Sequence, residues 1–373
     1  MIYLDNAATT QPSTVSMVAY EKALQQYGNP SSVHACGRRA FDLLFDAKTL
    51  IAKAINAKPK EIYFTASGTD SDNWAILGTI SNYKGKHIVT TAIEHSAILE
   101  PCKRLEEWGY DVTYVKPQPN GIVLASDIEN AIRKDTILVS VMWANNEIGT
   151  IQPIKEIGAI CKAHNVLFHT DAVQAMTTEE INVEECNVDL LSFSSHKVYA
   201  PVGLGVLYIR NGVELAPLRV GGLQQNDRIA GTENYALAYA TACVLLEPRA
   251  RTKWYVKAVR DVFVKKVLEE IDGTELVGDT ENRLVGNANI YFKGCESEAL
   301  VLGLDLRGVC ASGGSACHAG TSEPSYVITA LGKSEEYARS CVRFTFGVNN
   351  DLNDVNNAIT KLKETVRDIR GRI

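Results

Sequence analysis

Val188-Asp189-Leu190-Leu191-Ser192-Phe193-Ser194-Ser195-His196-Lys197 is an apolar run that ends in two serines, a histidine and a lysine. Such a run is typical of a buried strand that leads into a loop. A lysine at that place can form a Schiff base with the aldehyde of pyridoxal phosphate (PLP), while hydroxyl and imidazole neighbours can hold a phosphate and orient a ring. The same pattern also fits a strand that simply reaches water, so the neighbouring segments have to decide between the two interpretations.

A second buried strand is predicted at Val166-Leu167-Phe168-His169-Thr170-Asp171-Ala172, with Gln174 shortly after it. Asp171 at its carboxyl end can pair with a pyridinium nitrogen and keep it protonated, although it could instead cap a helix. Ligands of parallel α/β sheets gather at the carboxyl ends of strands. Two such ends that carry Asp171 and Lys197 therefore favour a cofactor site.

A third segment, Glu61-Ile62-Tyr63-Phe64-Thr65-Ala66-Ser67-Gly68-Thr69-Asp70, predicts a strand, a turn of small residues and the start of a helix. The backbone amides of such a helix start, together with the Thr69 hydroxyl, form an anion site suited to a phosphate. A helix start that contains glycine for purely structural reasons is the alternative.

Strand-like and helix-like segments alternate along the chain, which predicts an α/β fold with a mostly parallel sheet and helices on both faces. A long helical segment over 248–271 is expected to lead into a smaller α/β domain built from 272–373. The predicted strands are 61–66, 87–92, 111–116, 137–144, 166–171, 188–194 and 205–210, and the predicted helices include 38–56, 70–83 and 153–164.

Composition is that of a large globular enzyme: 373 residues with 46% hydrophobic content suffice for two domains with sizeable cores. The net charge of −6 is spread along the chain without a basic block, so nucleic-acid binding is not expected. There is no leader-like start and no apolar run of about 18 residues, so we expect a cytoplasmic protein without membrane association.

The nine cysteines are odd in number and form no Cys-x-x-Cys pair, so neither a disulfide framework nor a structural zinc site is expected. Cys317 differs from the others because its surroundings, Ala311-Ser312-Gly313-Gly314-Ser315-Ala316-Cys317-His318-Ala319-Gly320, are small and polar. That composition predicts an exposed loop, in which a free thiol is either reactive or merely tolerated.

Together these segments resemble the class V aminotransferases, which are PLP enzymes of fold type I, and more closely the cysteine desulfurases of the NifS/IscS type. The resemblance runs over nearly the whole chain. The matching segments are YLDNAATT at 3–10, GNPSSVH at 28–34, EH at 94–95, NNEIGTIQP at 145–153, DAVQ at 171–174, SFSSHK at 192–197, AGTEN at 230–234, GSAC at 314–317 and VRF at 342–344.

The resemblance implies conversion of L-cysteine to L-alanine, with the sulfur transferred to Cys317 as a persulfide. An acceptor protein would then take the sulfur, such as an iron–sulfur scaffold or another system of thio-cofactor assembly.

The resemblance also implies roles for individual residues. Lys197 would hold PLP, and His95 would stack over it as an acid or base. Asn146 and Arg343 would bind the substrate carboxylate, since a guanidinium pairs with a carboxylate through two hydrogen bonds; a surface salt bridge is the alternative for Arg343. The implied cofactor contacts are Thr69, Asp171, Gln174, Ser194, His196 and, from the partner subunit of a homodimer, Thr232.

The resemblance also implies a large PLP-binding domain over 13–250 and a small domain formed by 1–12 with 251–373, which carries the Cys317 loop. The sequence departs from the usual family pattern in ways that bear on the phosphate site, the dimer contact and the rate. The departures are Ala66-Ser67, Ala200, Val202, Gln225, Ile229 and His318.

Three other functions stay open from sequence alone. Two are PLP enzymes of the same fold, a transaminase and a selenocysteine lyase; the thiol of Cys317 argues against a transaminase, which needs none. The third is a catalytically silent protein of this fold that serves as an interaction partner.

Overall fold

The computed structural model describes residues 1–246, 249–314 and 323–371, so Cys317 and His318 lie outside the described residues. Within these ranges the chain forms twelve strands and thirteen helices, with two 3₁₀ turns at Pro59–Glu61 and Ser195–Lys197. The strands are β1 (Ile2–Tyr3), β2 (Ile62–Thr65), β3 (His87–Thr91), β4 (Asp111–Val115), β5 (Thr136–Ser140), β6 (Leu167–Asp171), β7 (Leu190–Ser194), β8 (Gly205–Ile209), β9 (Thr274–Val277), β10 (Asn287–Phe292), β11 (Val309–Cys310) and β12 (Cys341–Thr345). The helices are α1 (Thr14–Leu24), α2 (Ala35–Ala54), α3 (Gly68–Thr79), α4 (Ser96–Glu107), α5 (Ala125–Ala131), α6 (Ile154–His164), α7 (Gln224–Asp227), α8 (Tyr235–Val244), α9 (Arg249–Glu270), α10 (Ser297–Asp305), α11 (Tyr326–Ala330), α12 (Glu335–Arg339) and α13 (Leu352–Arg370).

A seven-stranded sheet in the order β2-β8-β7-β6-β5-β3-β4 forms the centre of the molecule. Only β8 runs antiparallel to its neighbours, so the carboxyl ends of β2, β6 and β7 lie at one edge. All seven predicted strands are present, and the predicted α/β fold is confirmed.

The ends of β2 and β7 are brought together by Gly205, which pairs with both Thr65 and Ser194. A Cβ atom at Gly205 would lie 2.0 Å from the Ser67 carbonyl oxygen, so only glycine fits this junction.

Consecutive strand residues face opposite sides of the sheet, and each side is covered by helices. Leu190 of β7 packs into a core with Trp74 of α3 and Ile98 of α4. The next residue, Leu191, packs into the opposite core with Ile51 of α2 and Ile157 of α6. Because both faces of β7 are buried, this strand is mostly apolar, which is why it was recognisable in the sequence.

A separate core lies in the C-terminal part of the chain, around the antiparallel sheet β12-β10-β9 and helices α9 and α13. The N-terminus joins this core: β1 pairs in parallel with β11, and Ile2 and Leu4 are buried among residues of 256–366. The division into a large domain over 13–250 and a small domain of 1–12 with 251–373 stays a prediction. None of the helices described is both long and apolar enough to cross a membrane.

Candidate active site

A cavity of about 320 Å³ opens where the carboxyl ends of β6 and β7 meet the turn between β2 and α3. Its volume falls at the lower end of the range typical of small-molecule sites. Nine of the eleven residues predicted from the sequence line it: Thr69, His95, Asn146, Asp171, Gln174, Ser194, His196, Lys197 and Arg343.

Lys197 lies in the 3₁₀ turn that follows β7, and its side chain points back to the N-terminal segment. Its Nζ atom donates hydrogen bonds to the carbonyl oxygens of Ala7, at 2.5 Å, and Ala8, at 2.7 Å. Gln174 Nε2 donates to the same Ala7 carbonyl at 3.0 Å. The segment that follows β1 therefore helps to hold the amine at the cavity, which explains why residues so distant in sequence belong to one site.

Asp171 is the last residue of β6 and is only 5% exposed. Its Oδ1 accepts a hydrogen bond from the Val173 amide at 2.8 Å. Burial raises the pKa of Asp171, while His95, this amide and Lys197 act in the opposite direction. A carboxylate that is buried beside two basic side chains is suited to hold one further cationic group, such as a protonated ring nitrogen.

The opposite end of the cavity is formed by the first turn of α3, where Ser67 caps the helix by accepting from the Asp70 amide at 3.1 Å. His196 reaches the cavity from the β7 side, and its Nδ1 lies 3.1 Å from the Thr9 hydroxyl. Burial and the charge of Lys197 lower the pKa of His196 to about 4, so the ring is neutral at neutral pH. In the tautomer that carries its proton on Nε2, Nδ1 accepts from Thr9 and Nε2 can donate to an anion at the helix start.

Arg343 is a buried guanidinium, 1% exposed, so the alternative of a surface salt bridge does not hold. Nη1 donates to the Asn146 carbonyl at 3.0 Å and Nη2 to Asp5 Oδ1 at 2.9 Å. Its Nε has no hydrogen-bond partner among the residues that the structure describes. A buried donor without a partner is rare in proteins, and Arg343 is one of the residues that line the cavity.

His95 caps α4, where its Nδ1 accepts a hydrogen bond from the Ala97 amide at 3.1 Å. This contact leaves the proton of a neutral ring on Nε2, which fixes both the tautomer and the ring orientation. His95 thus combines a structural role in the helix with a position on the cavity wall.

Asp72 is a cavity residue that the sequence did not reveal. It lies one helical turn after Gly68 on the inner face of α3 and is 1% exposed. The available signal was its spacing from Gly68 and Thr69, since residues three and four apart share a helix face. A polar residue on a face that also carries Ala75 and Ile76 is unusual for a helix face that is buried in the core.

Two of the departures from the family pattern are accommodated within the single chain. Gln225 uses both ends of its amide on edge strand β2: it accepts from the Phe64 amide at 2.6 Å and donates to the Phe64 carbonyl at 2.7 Å. A glutamate could accept the first bond but not donate the second. Ile229 is buried in the core with Trp74.

The two remaining predicted site residues are not placed at the cavity. Thr232 is exposed and does not line the cavity of the single chain. Cys317 lies outside the described residues. In the described part of the chain, no group of three or more His, Cys, Asp and Glu side chains is placed to hold a metal ion.

Comparison with known proteins places this geometry in context. A family model described as aminotransferase class-V matches residues 2–357. A cysteine desulfurase IscS from Dictyoglomus turgidum is 43% identical over 376 residues, which cover 99% of this chain and 95% of the relative. Among solved structures, a NifS-like protein superposes with a TM-score of 0.91 at 30% identity, covering 97% of this chain and 98% of that protein. The SspA protein in complex with cysteine gives a TM-score of 0.84 at 32% identity, covering 93% and 99%.

Proposed function

The chain belongs to the class V aminotransferase family, and from that premise we propose that it is a PLP-dependent cysteine desulfurase that converts L-cysteine to L-alanine. The observation that carries the proposal is the joint placement of the Lys197 amine, the Asp171 carboxylate and the incompletely bonded Arg343 guanidinium in one cavity. Full-length similarity to proteins named cysteine desulfurase supports the choice of reaction within the family.

The residues present fit the cofactor. The buried Asp171 is suited to a protonated ring nitrogen, and the neutral His196 with the start of α3 is suited to a phosphate. Thr69 and Ser194 would complete the phosphate contacts, and Gln174 would reach the ring oxygen. When bound, PLP supplies an electron sink for the pair of electrons left when the substrate Cα loses its proton.

The protein's own groups would then perform three tasks. Arg343, together with Asn146, would bind the substrate carboxylate, because a guanidinium supplies charge-assisted donors to a carboxylate. Lys197 would hold the cofactor and move the proton at the substrate Cα. His95 would serve as an acid or base from the Nε2 position on the cavity wall.

Cys317 is proposed as the sulfur acceptor. Residues on either side of its segment are tied next to the substrate end of the cavity: Ser312 exchanges two backbone hydrogen bonds with Arg343, and Ser325 donates to Glu147 Oε2 at 2.5 Å. Three residues span at most about 11 Å, which tethers position 317 to Gly314 near this end. The thiolate would attack the substrate sulfur, so that an S–S bond forms and the Cβ–S bond breaks. The electron pair left on the substrate carbon takes up a proton, which yields L-alanine.

Incubation of the purified protein with L-cysteine and a reductant tests the function directly. We expect visible absorbance near ~410 to 430 nm from the bound cofactor, and alanine and sulfide in equal amounts. A keto acid in place of alanine would favour a transaminase. Absence of both the absorbance and product formation would favour a silent interaction protein, and a strong preference for selenocysteine would favour the lyase.

A homodimer with composite active sites is proposed from the position of Thr232. This residue is exposed and does not line the cavity of its own chain, and α2 exposes the large apolar side chains of Phe41 and Phe45 at 51% and 53%. We expect sedimentation to give a dimer, and Thr232→Ala to weaken PLP binding about three- to tenfold, as loss of one hydrogen bond would. An active monomer at micromolar concentration would contradict the proposal.

The last steps also belong to the proposal. The persulfide on Cys317 would pass its sulfur to an acceptor protein, such as an iron–sulfur scaffold, and the protein would act in the cytoplasm. Both statements stay predictions from the resemblance to cysteine desulfurases.

A further inference from the structure

Three buried carboxyl groups lie at or near the cavity wall. One carboxylate would be enough to oppose a single protonated ring nitrogen. Asp72 comes from α3, Asp171 from β6, and Glu94 from the segment between β3 and α4; they are 1%, 5% and 0% exposed. Each of the other two is within electrostatic reach of Asp171. Burying several like charges in one place is too costly without matching cations, so most of these groups have to be neutral.

The basic side chains of the site face Asp171. His95 and Lys197 both act on Asp171 and favour its anion. Glu94 instead accepts hydrogen bonds from the Thr91 hydroxyl at 2.7 Å and the Met142 amide at 2.9 Å. Burial raises the pKa of Glu94 to about 8, so it is mostly the neutral acid at neutral pH.

In the described part of the chain, His169 is a basic side chain within 4.0 Å of Asp72, and it is not a cation. His169 Nε2 lies 3.7 Å from Asp72 Oδ1, but the ring is fully buried, and burial lowers the pKa of His169 to about 3. Both ring nitrogens are already within hydrogen-bond distance of serine hydroxyls, Nδ1 of Ser140 at 2.8 Å and Nε2 of Ser192 at 3.0 Å. His169 is therefore a neutral link in a hydrogen-bond chain.

This hydrogen-bond chain provides an acceptor for a proton carried by Asp72. Ser192 hydrogen-bonds to Asp72 and by itself lowers the pKa of Asp72, but burial first and the nearby Asp171 second outweigh it and raise that pKa well above its usual range. A protonated Asp72 can donate to Ser192, which donates to His169 Nε2, whose Nδ1–H donates to Ser140. The other carboxyl oxygen, Oδ1, has no hydrogen-bond partner in the described part of the chain, and Asp72 lines the same cavity as Asp171.

We propose that Asp72 and Asp171 form a carboxyl pair that carries one negative charge, with the proton on Asp72. Asp72 is then a positioning residue: it keeps Asp171 as the anion that opposes the ring nitrogen, and it does not itself touch the substrate. The inference rests on the proposed binding of PLP at this cavity.

A double-mutant cycle tests the pair through the dissociation constant of PLP, measured from the visible absorbance as the full-length apoprotein is titrated with the cofactor. Asp72→Asn removes no charge, so the constant should change by less than about threefold, whereas Asp171→Asn should raise it at least about tenfold. In the Asp171→Asn variant, Asp72 is free of its charged neighbour and can ionise in its place. The double variant should therefore bind at least about tenfold more weakly than the product of the two single effects predicts.

Asp189→Asn is the matched control for this cycle. Asp189 is also a largely buried carboxyl, but it precedes β7 at the opposite end of the sheet, where it accepts from the Phe168 amide at 2.9 Å. In the Asp171→Asn/Asp189→Asn double variant, the change in the dissociation constant of PLP should equal the product of the two single changes. Independent effects of Asp72→Asn and Asp171→Asn, within about twofold, would overturn the pair.

The tautomer of His169 gives a second readout that does not depend on the cofactor. Nitrogen NMR of the ¹⁵N-histidine-labelled full-length protein, with His169 assigned by substitution, should show the proton on Nδ1, with and without PLP. A proton on Nε2 would mean that Ser192 donates to an ionised Asp72, and would overturn the proposal. If PLP does not bind but Nδ1 carries the proton, the carboxyl pair stands and the proposed function fails.

Discussion

Lys197→Ala should abolish both the visible absorbance of the bound cofactor and the formation of alanine. Lys197 is the only lysine among the described residues that line the cavity, and its Nζ is already held there by the Ala7 and Ala8 carbonyls. A substituted alanine provides neither a primary amine for a Schiff base nor a base for the Cα proton. Because general acid–base catalysis alone contributes up to about 10⁴-fold, we expect a loss of at least that size, measured as alanine released per hour.

Lys197→Arg separates the charge of the side chain from its amine. The guanidinium keeps a positive charge beside Asp171 but stays protonated, so this variant should lose alanine formation as completely as Lys197→Ala. Lys155→Ala is the control, because Lys155 pairs with Glu185 on the surface and should leave absorbance and rate unchanged. If either Lys197 variant formed alanine at about a tenth of the normal rate or faster, another group would have to hold the cofactor.

The parts of the site that the sequence predicted are those that strand ends deliver. Asp171 and Lys197 follow two apolar runs, and parallel strands bring their carboxyl ends to one edge whatever the surrounding sequence. Thr69 follows the carboxyl end of β2. Because β2 and β7 are both antiparallel to β8, they run in the same direction, and their carboxyl ends lie at the same edge. Periodicity and strand polarity were therefore enough to place these residues together.

Other contacts could not be predicted because they depend on which distant segments meet. The Ala7 and Ala8 carbonyls hold Lys197 across more than half of the chain, and no local pattern marks an alanine carbonyl as a ligand. Gln225 replaces a missing neighbour of edge strand β2 with its own amide, which only the folded geometry reveals. Asp72 carried a signal in its helical spacing, but a lone aspartate on a helix more often faces water.

Cys317→Ser should still bind PLP and L-cysteine, with the spectral change that accompanies substrate binding, yet form no persulfide. Cofactor and substrate binding depend on Lys197, Asp171 and Arg343, and these side chains do not need the thiol. Serine has almost no alkoxide at neutral pH, while a free thiol of pKa ~8.5 already supplies a few per cent of thiolate and is the stronger nucleophile. We expect alanine formation to fall at least about 10³-fold, within the range that loss of a nucleophile causes.

Mass spectrometry after a single turnover locates the sulfur. In the unsubstituted protein, one added sulfur should appear on the peptide that contains Cys317. Cys102, Cys161 and Cys310 are poor competitors, because burial raises the pKa of Cys102 and of Cys161 to about 12 and also raises that of Cys310. Cys310→Ser is accordingly the matched control: this half-buried thiol on β11 is close to Cys317 in sequence but does not line the cavity, so its loss should leave the persulfide in place. Sulfur on another cysteine, or normal alanine formation by Cys317→Ser, would refute Cys317 as the acceptor. The assignment of Lys197 and Asp171 would stay intact, because cofactor binding and sulfur transfer depend on different groups.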